Sequence, residues 1–276
     1  MATDESLEFD EIGCWSEIKL EILRKYAPAY TTILSRQSSI KGYHYIDGFA
    51  GYGIHKSKTR DELIKGSPLI ALQVKPKFTA YHFVDLDSKK VDFLRQLSSD
   101  YSNARVYEGD CNKILLEQVF PLVRHERYQR ALCLLDPYGL HLRWEVILTA
   151  GRSRAIEIFL NFPVMDMNRN VLWKNSEKVS PKEAERLTAF WGDESWKNAA
   201  YQKQEGLFGT MEEKARIEKV ALAFQKRLKE VAGFVYVSDP LPMKNTHGAL
   251  LYYLFFATPN KTADKIVKDI MNKYRS

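Results

Sequence analysis

The sequence contains no Cys-x-x-Cys pair and no His-Glu-x-x-His spacing: its three cysteines, Cys14, Cys111 and Cys133, lie far apart, and its six histidines are scattered. An odd, sparse set of cysteines gives no disulfide framework, and without ligand spacing no metal site is expected. No apolar run is long enough to cross a bilayer; the longest, residues 249–257, is far short of a span, so no membrane partner is expected. The start Met1-Ala2-Thr3-Asp4-Glu5 is acidic and unlike a signal peptide, which makes the cytoplasm the expected location. Gly-Lys-Ser/Thr and Gly-x-Gly-x-x-Gly are also missing, which disfavours nucleoside triphosphates and dinucleotides as ligands. Charge of one sign is in only slight excess: a net +6 favours a polyanion such as RNA or DNA, but many soluble proteins carry as much.

At 276 residues, 45% of them hydrophobic, the chain can bury a sizeable core as one main domain with an insertion. Its organising stretch is Tyr45-Ile46-Asp47-Gly48-Phe49-Ala50-Gly51-Tyr52-Gly53. Tyr43, Tyr45 and Ile46 supply a short buried strand, and the glycines then remove side chains where the chain must turn and let backbone approach a ligand. Asp47 stands at the carboxyl end of that strand, where open α/β sheets bind ligands. A tight turn with no ligand is the competing use of the same residues.

Four more strand patterns follow, over residues 79–84, 104–107, 131–135 and 156–160, each separated from the next by a helical or apolar segment. They close in Asp85-Leu86-Asp87, Glu108-Gly109-Asp110-Cys111-Asn112, Asp136-Pro137-Tyr138-Gly139 and Asn161-Phe162-Pro163, so polar residues gather at the carboxyl ends. Five strands alternating with helices imply a parallel, doubly wound sheet with right-handed crossovers. Ahead of them, Trp15, Ile18, Ile22, Tyr26, Tyr30 and Ile33 recur at helical spacing to about residue 36, with Pro28 expected to kink or split the helix. Packing on the sheet is the simplest role for that helix, Lys19 included. Residues 1–14 read as a polar lead-in, 55–65 as an exposed excursion, and 114–123 as a helix.

Between residues 164 and 210 the pattern breaks, and a mostly helical inserted subdomain is expected there, with residues 1–163 and 211–276 forming the main domain. The insert holds three of the five tryptophans among basic residues such as Arg169, Lys174 and Lys182. Such interleaving can grip phosphate and stack on bases, though tryptophans more often form a core. An amphipathic helix then runs to Gly233, and strands at 234–238 and 250–257 are joined by a link too short for a parallel crossover, so they must pair antiparallel. A final helix covers residues 261–274.

These features together resemble the class I S-adenosylmethionine-dependent methyltransferase fold: α/β, with a Rossmann-like doubly wound seven-stranded sheet, mostly parallel with an antiparallel C-terminal hairpin strand, plus a helical insert. More closely, Trp15-Ser16-Glu17-Ile18-Lys19-Leu20, Ile46-Asp47-Gly48-Phe49-Ala50-Gly51, Gly66-Ser67-Pro68-Leu69, Leu135-Asp136-Pro137-Tyr138-Gly139 and the run from Asn161 to Asn170, in that order, resemble the three-Cys-motif partner protein family, TcmP. That resemblance implies S-adenosylmethionine as cofactor and a neighbouring three-cysteine-motif protein, similar to radical S-adenosylmethionine proteins, as partner. It gives the chain's own cysteines no role.

Phe49-Ala50-Gly51-Tyr52-Gly53 is also similar to the Phe-x-Gly-x-Gly loop of enzymes that methylate amino groups of adenine, cytosine or glutamine. Their Asp/Asn-Pro-Pro-aromatic motif is altered here to Asp136-Pro137-Tyr138-Gly139, with one proline fewer and the aromatic one place early. The resemblance implies transfer of a methyl group to an exocyclic amine of a nucleic-acid base. Asp136 and Pro137 would then receive the amino hydrogens and Tyr138 would stack on the base. Asp47, Gly48, Phe49, Ala50, Gly51 and Gly53 would border the methionine part of the cofactor, Asp85 the ribose and Asp110 the adenine. Apart from the resemblance, Asn161 at a strand's carboxyl end and Arg169 and Trp173 in the basic, aromatic insert are expected to contact substrate. For Asp85 and Asp110 helix capping is the competing use. A methyltransferase fold serving only as the binding subunit of its three-cysteine partner is the alternative function.

Overall fold

The computed structural model describes residues 10–58, 62–206 and 209–275. The acidic start Met1 to Glu5 and part of the 55–65 excursion therefore lie outside the described residues. The chain opens with strand β1 (Glu11–Ile12), helix α1 (Cys14–Ser35), strand β2 (Gly42–Asp47), the hairpin β3 (Ile54–Ser57) and β4 (Leu63–Lys65), and helix α2 (Ser67–Gln73). Strand β5 (Ala80–Asp85), helix α3 (Ser88–Leu97), strand β6 (Ala104–Glu108) and helix α4 (Cys111–Ile114) follow. Next come β7 (Gln129–Leu135), α5 (Trp144–Ser153), β8 (Ile156–Phe162), α6 (Val164–Asn170), α7 (Pro181–Trp191) and α8 (Trp196–Ala200). The hairpin β9 (Tyr201–Gly206) and β10 (Gly209–Lys214), helix α9 (Ile217–Glu230), strands β11 (Tyr236–Val237), β12 (Leu241–Lys244) and β13 (Leu250–Thr258), and helix α10 (Lys261–Met271) complete the described chain.

The main sheet runs β11-β13-β8-β7-β2-β5-β6, with β12 also on β13. From β6 to β8 every pairing is parallel, and β13 pairs antiparallel with β8 and with both short strands beyond it. From β2 the chain moves outward to β5 and β6, then returns to the other side of β2 at β7. Ligands of doubly wound sheets bind in the crevice where the order reverses in this way, outside the carboxyl ends of the strands. Helices cover both faces, so the central strands are mostly apolar. Ile46, Cys133, Ile158 and Leu160 face a core shared with α5 and α9, while Tyr45, Leu132, Leu134 and Phe159 face one shared with α1 and α10.

Five expectations need correction in whole or in part. Among the described residues the sheet has eight strands, because Leu241–Lys244 forms one of its own. Pro240 and Pro242 read as a link, but among the described residues β12 pairs with β13 alone, and such an edge strand tolerates a proline that has no N–H to give. Of the two outcomes expected at Pro28, kink or split, the split does not occur: Pro28 lies inside α1. Part of the polar lead-in is a strand, since β1 pairs parallel with β3. The 55–65 excursion is likewise the hairpin β3–β4. Segment 115–122 continues α4 as a wide turn and a tighter one instead of as regular helix.

The segment 164–210 contains α6, α7 and α8 and then enters the β9–β10 hairpin. Its aromatic residues join the sheet's own core: Phe190 stacks on Phe224 with ring centres 5.5 Å apart, Trp191 lies 5.3 Å from the same ring, and Phe224 meets Phe162 of β8 at 4.7 Å. Trp196 is buried and Trp173 is 41% exposed. Among the described residues no helix is long and apolar enough to cross a membrane, and no group of three or more His, Cys, Asp or Glu residues could hold a metal ion. All three cysteines are free.

Candidate functional site

A cleft of about 570 Å³ opens at the carboxyl ends of β2, β7 and β8. Its floor is the loop that leaves β2 and carries Phe49, Ala50 and Gly51, and its sides include Asp136 to Gly139 after β7 and Asn161 and Pro163 at the end of β8. The start of the chain closes another side, with Asp10 to Gly13, Trp15 and Lys19 lining it. That wall is tied down at several points. The Lys90 ammonium pairs with Asp10 at 2.6 Å, the Lys56 N–H donates to the Asp10 carbonyl at 3.1 Å, and the Tyr252 hydroxyl donates to the Trp15 carbonyl at 3.1 Å.

Beneath the floor lies Asp47, which is fully buried. Burial pushes its carboxyl up to about 6, partly offset by hydrogen bonds from the Ser67 hydroxyl, the Phe49 N–H and the Tyr45 hydroxyl. Its contacts are thus with the loop's own backbone and supports, at 3.3 Å for Phe49 N–H and 3.1 Å for Tyr45 Oη. Gly48 and Gly53 are required by packing: a Cβ on Gly48 would fall 2.9 Å from Cys111 Sγ, and one on Gly53 would fall 2.7 Å from Leu97. Gly51 shares a positive φ with Gly53, +63° against +73°, but the nearest atom to a Cβ on Gly51 would be His55 Cε1 at 3.9 Å, so its face is open to the cleft. Gly51 N–H donates to Asp85 Oδ2 at 2.8 Å, and Asp87 N–H donates to Oδ1 of the same carboxylate at 3.0 Å.

Capping falls on Asp87, which caps α3, and not on Asp85. Asp85 therefore supports the loop and keeps further lone pairs for a ligand. Asp110 is a cap, accepting from the backbone and side-chain amides of Asn112 at 3.0 and 2.9 Å. Of the expected cofactor residues, Phe49, Ala50 and Gly51 line the cleft, and Gly48, Gly53, Asp47, Asp85 and Asp110 are not among its lining residues.

Asp136, Pro137 and Tyr138 line the cleft together with Asn161. Asp136 is paired with the Lys19 ammonium, which is itself almost entirely buried. Tyr138 is 66% exposed at the cleft mouth, with Lys90 Nζ 5.7 Å from its ring centre. Asn161 is buried, and its Oδ1 has no partner among the described residues. Arg169 and Trp173 do not line the cleft; the Trp173 indole N–H instead donates to the Arg169 carbonyl at 2.7 Å.

Four residues missing from the sequence-based set complete the site. Lys19 was expected only to pack, and His55 belonged to a supposed excursion. Asp166 accepts from Leu140 N–H at 2.9 Å and from Arg186 at 3.0 Å, and the Asn170 amide donates to its other oxygen, so it fixes the loop after β7. Asn245 also lines the cleft, from the link between β12 and β13, whereas His247 stays exposed. Burial and the nearby Lys19 ammonium push the His55 imidazole below the usual histidine range. Lys19 and Asp166 fall inside segments that carry the family resemblance, Trp15 to Leu20 and Asn161 to Asn170, which is the one signal that could have pointed to them.

Strand order, switch point and cleft define an α/β protein of the doubly wound, Rossmann-like class. Solved structures similar to it include a Legionella pneumophila protein (10% identity over 92% of this chain and 91% of that one, TM-score 0.47). Two others are the DszA carbon methyltransferase (13% identity, 88% and 54%, TM-score 0.46) and a SAM dependent methyltransferase from Aquifex aeolicus (13%, 88% and 97%, TM-score 0.33). At such scores the overlaps are loose, and the class rests on the chain's own strand order. No protein-family model matches the sequence, and no curated protein matches it.

Proposed function

We propose that this protein is an S-adenosylmethionine-dependent methyltransferase acting on an exocyclic amino group of a nucleic-acid base. The observation that carries the reading is the meeting, in one cleft at the switch point, of the open Gly51 turn with Asp136, Pro137, Tyr138 and the Oδ1 of Asn161, which has no partner among the described residues. A buried acceptor without a donor is costly unless a ligand supplies one. The cleft volume suits a cofactor-sized molecule.

The residues fit the cofactor. Phe49, Ala50 and Gly51 would flank its amino-acid part, Asp85 has lone pairs left for ribose hydroxyls, and Leu86, 76% exposed beside it, offers an apolar face to adenine. Asp47 shapes the loop from below, and Asp110, the cap of α4, would accept from the adenine amino group. When bound, the sulfonium supplies an electrophilic methyl group. The protein's part is to align donor and acceptor. Asp136, its carboxylate held by Lys19, and the Pro137 carbonyl accept the amino hydrogens; Tyr138 stacks on the base from the cleft mouth. A base inside a duplex would first have to be flipped out, so single-stranded or loop targets are favoured.

The test is methyl transfer from tritium-labelled S-adenosylmethionine to pooled tRNA and to denatured DNA, with Asp136→Ala as control. Label in nucleic acid that disappears with the variant supports the reading, and label in neither pool from folded protein refutes it.

A further inference from the structure

The cleft's ionisable groups are mostly engaged. Asp10 is paired with Lys90, Asp136 with Lys19, and Asp166 with Arg186 and Leu140 N–H. Asp47 lies sealed beneath the loop, and the Tyr252 hydroxyl is spent on the Trp15 carbonyl. His55 of β3 is different. Its ring packs 3.9 Å from where a Gly51 Cβ would stand, it lines the cleft, and its buried Nδ1 has no partner among the described residues. A ring nitrogen in that setting is either an acceptor held ready or a polar atom stranded at a cost, and a neutral imidazole is a good proton acceptor near pH 7.

We propose that His55 is a catalytic residue that takes the proton released from the acceptor amine during methyl transfer. The inference rests on the methyltransferase reading. As the nitrogen lone pair forms the new N–C bond, the S–CH3 bond breaks with its electron pair left on sulfur, which becomes a neutral thioether. One N–H bond then breaks, its electrons stay on nitrogen, and the proton goes to His55 Nδ1; the imidazolium returns it to water. The charged groups facing the ring are Lys19 from α1, Asp10 from the chain start, Asp136 after β7 and Lys90 from α3. Burial and Lys19 oppose imidazolium formation in the resting cleft, which keeps the base free. Asp136, bound to Lys19, is the poorer candidate for this role and the better one for orienting the amine.

His55→Gln and wild type are compared in two ways. Nitrogen-15 spectra of labelled protein with S-adenosylhomocysteine should show, in wild type only, a ring whose Nδ1 is unprotonated at neutral pH and which titrates below the usual histidine range. The variant should bind S-adenosylhomocysteine as wild type does and transfer methyl to pooled tRNA or denatured DNA about 100-fold more slowly, with the acidic limb of the pH profile lost. Wild-type turnover by the variant, a protonated Nδ1, or loss of S-adenosylhomocysteine binding in the variant overturns the proposal for His55 alone. If wild type neither binds S-adenosylhomocysteine nor transfers methyl, the methyltransferase reading falls, and this proposal with it.

Discussion

Lys19 and Asp136 form an ion pair between residues 117 positions apart, joining the start of α1 to the carboxyl end of β7. The side chains are 9% and 27% exposed, so water screens the pair only partly. Removing one partner of a buried pair strands the other, at a cost of about 3–5 kcal/mol when burial is complete. For this half-screened pair, Lys19→Met should cost about 1–3 kcal/mol in urea unfolding. Adding Asp136→Leu should recover part of that loss, and strictly additive losses would contradict the coupling.

Buried Glu157 lies on β8, where Thr258 Oγ1 donates to it at 3.0 Å and the Tyr26 hydroxyl donates to its other oxygen. Burial pushes its carboxyl up to about 7 from an ordinary 4.5, with Tyr26, Thr258 and Arg130 acting in the opposite direction. The folded state therefore holds this proton more tightly than the unfolded chain. The resulting stability is complete below about 4.5 and is lost as pH rises through about 7. Glu157→Gln should remove this pH dependence, so that the variant gains on wild type by on the order of 2–3 kcal/mol between about pH 5 and pH 8. Parallel stability curves for the two proteins would refute the assignment.

Gly139 has φ +67°, and a Cβ there would fall 2.4 Å from Asp166 Oδ2. Gly248 has φ +80° with nothing within 4 Å. Gly248→Ala should therefore show the backbone penalty alone, about 1 kcal/mol, whereas Gly139→Ala should cost about 2–4 kcal/mol and also displace the loop that carries Tyr138. Thermal unfolding of both variants measures the difference, and equal losses would contradict the role given to Asp166.

Phe224 of α9 touches Trp144, Phe162, Phe190, Trp191 and Phe255. Truncating so central a ring should cost about 3–5 kcal/mol. Because those neighbours belong to the sheet, α5 and α7 alike, Phe224→Ala should lower the midpoint of one cooperative transition. A separate early transition for α7 would contradict a shared core.

Much of the sheet could be read from the sequence because burial on both faces leaves apolar runs such as Ala131 to Leu135, ended by polar turns. The same logic gathered Gly51, Asp136 to Tyr138 and Asn161. What escaped depends on partners distant in sequence. Lys19 on an amphipathic helix has no mark of its interior ion pair, and His55 in a polar stretch looks solvated until β1 and α1 close over it. β12 was hidden by Pro242, which is a breaker in a central strand but acceptable at an edge. Asp85 and Asp110 both follow a strand and precede a helix. Only the backbone shows that Asp110 is the cap and that Asp85 leaves capping to Asp87.

The central claim is that the cleft is a cofactor site. Isothermal titration with S-adenosylmethionine and S-adenosylhomocysteine, with NAD as control and Asp85→Ala in parallel, tests it most directly. Binding with a Kd of about 1 μM, roughly −8 kcal/mol, is predicted for both adenosyl compounds, with none for NAD and at least a tenfold weakening in the variant, roughly 1.4 kcal/mol. Folded wild-type protein that binds neither adenosyl compound would contradict the account.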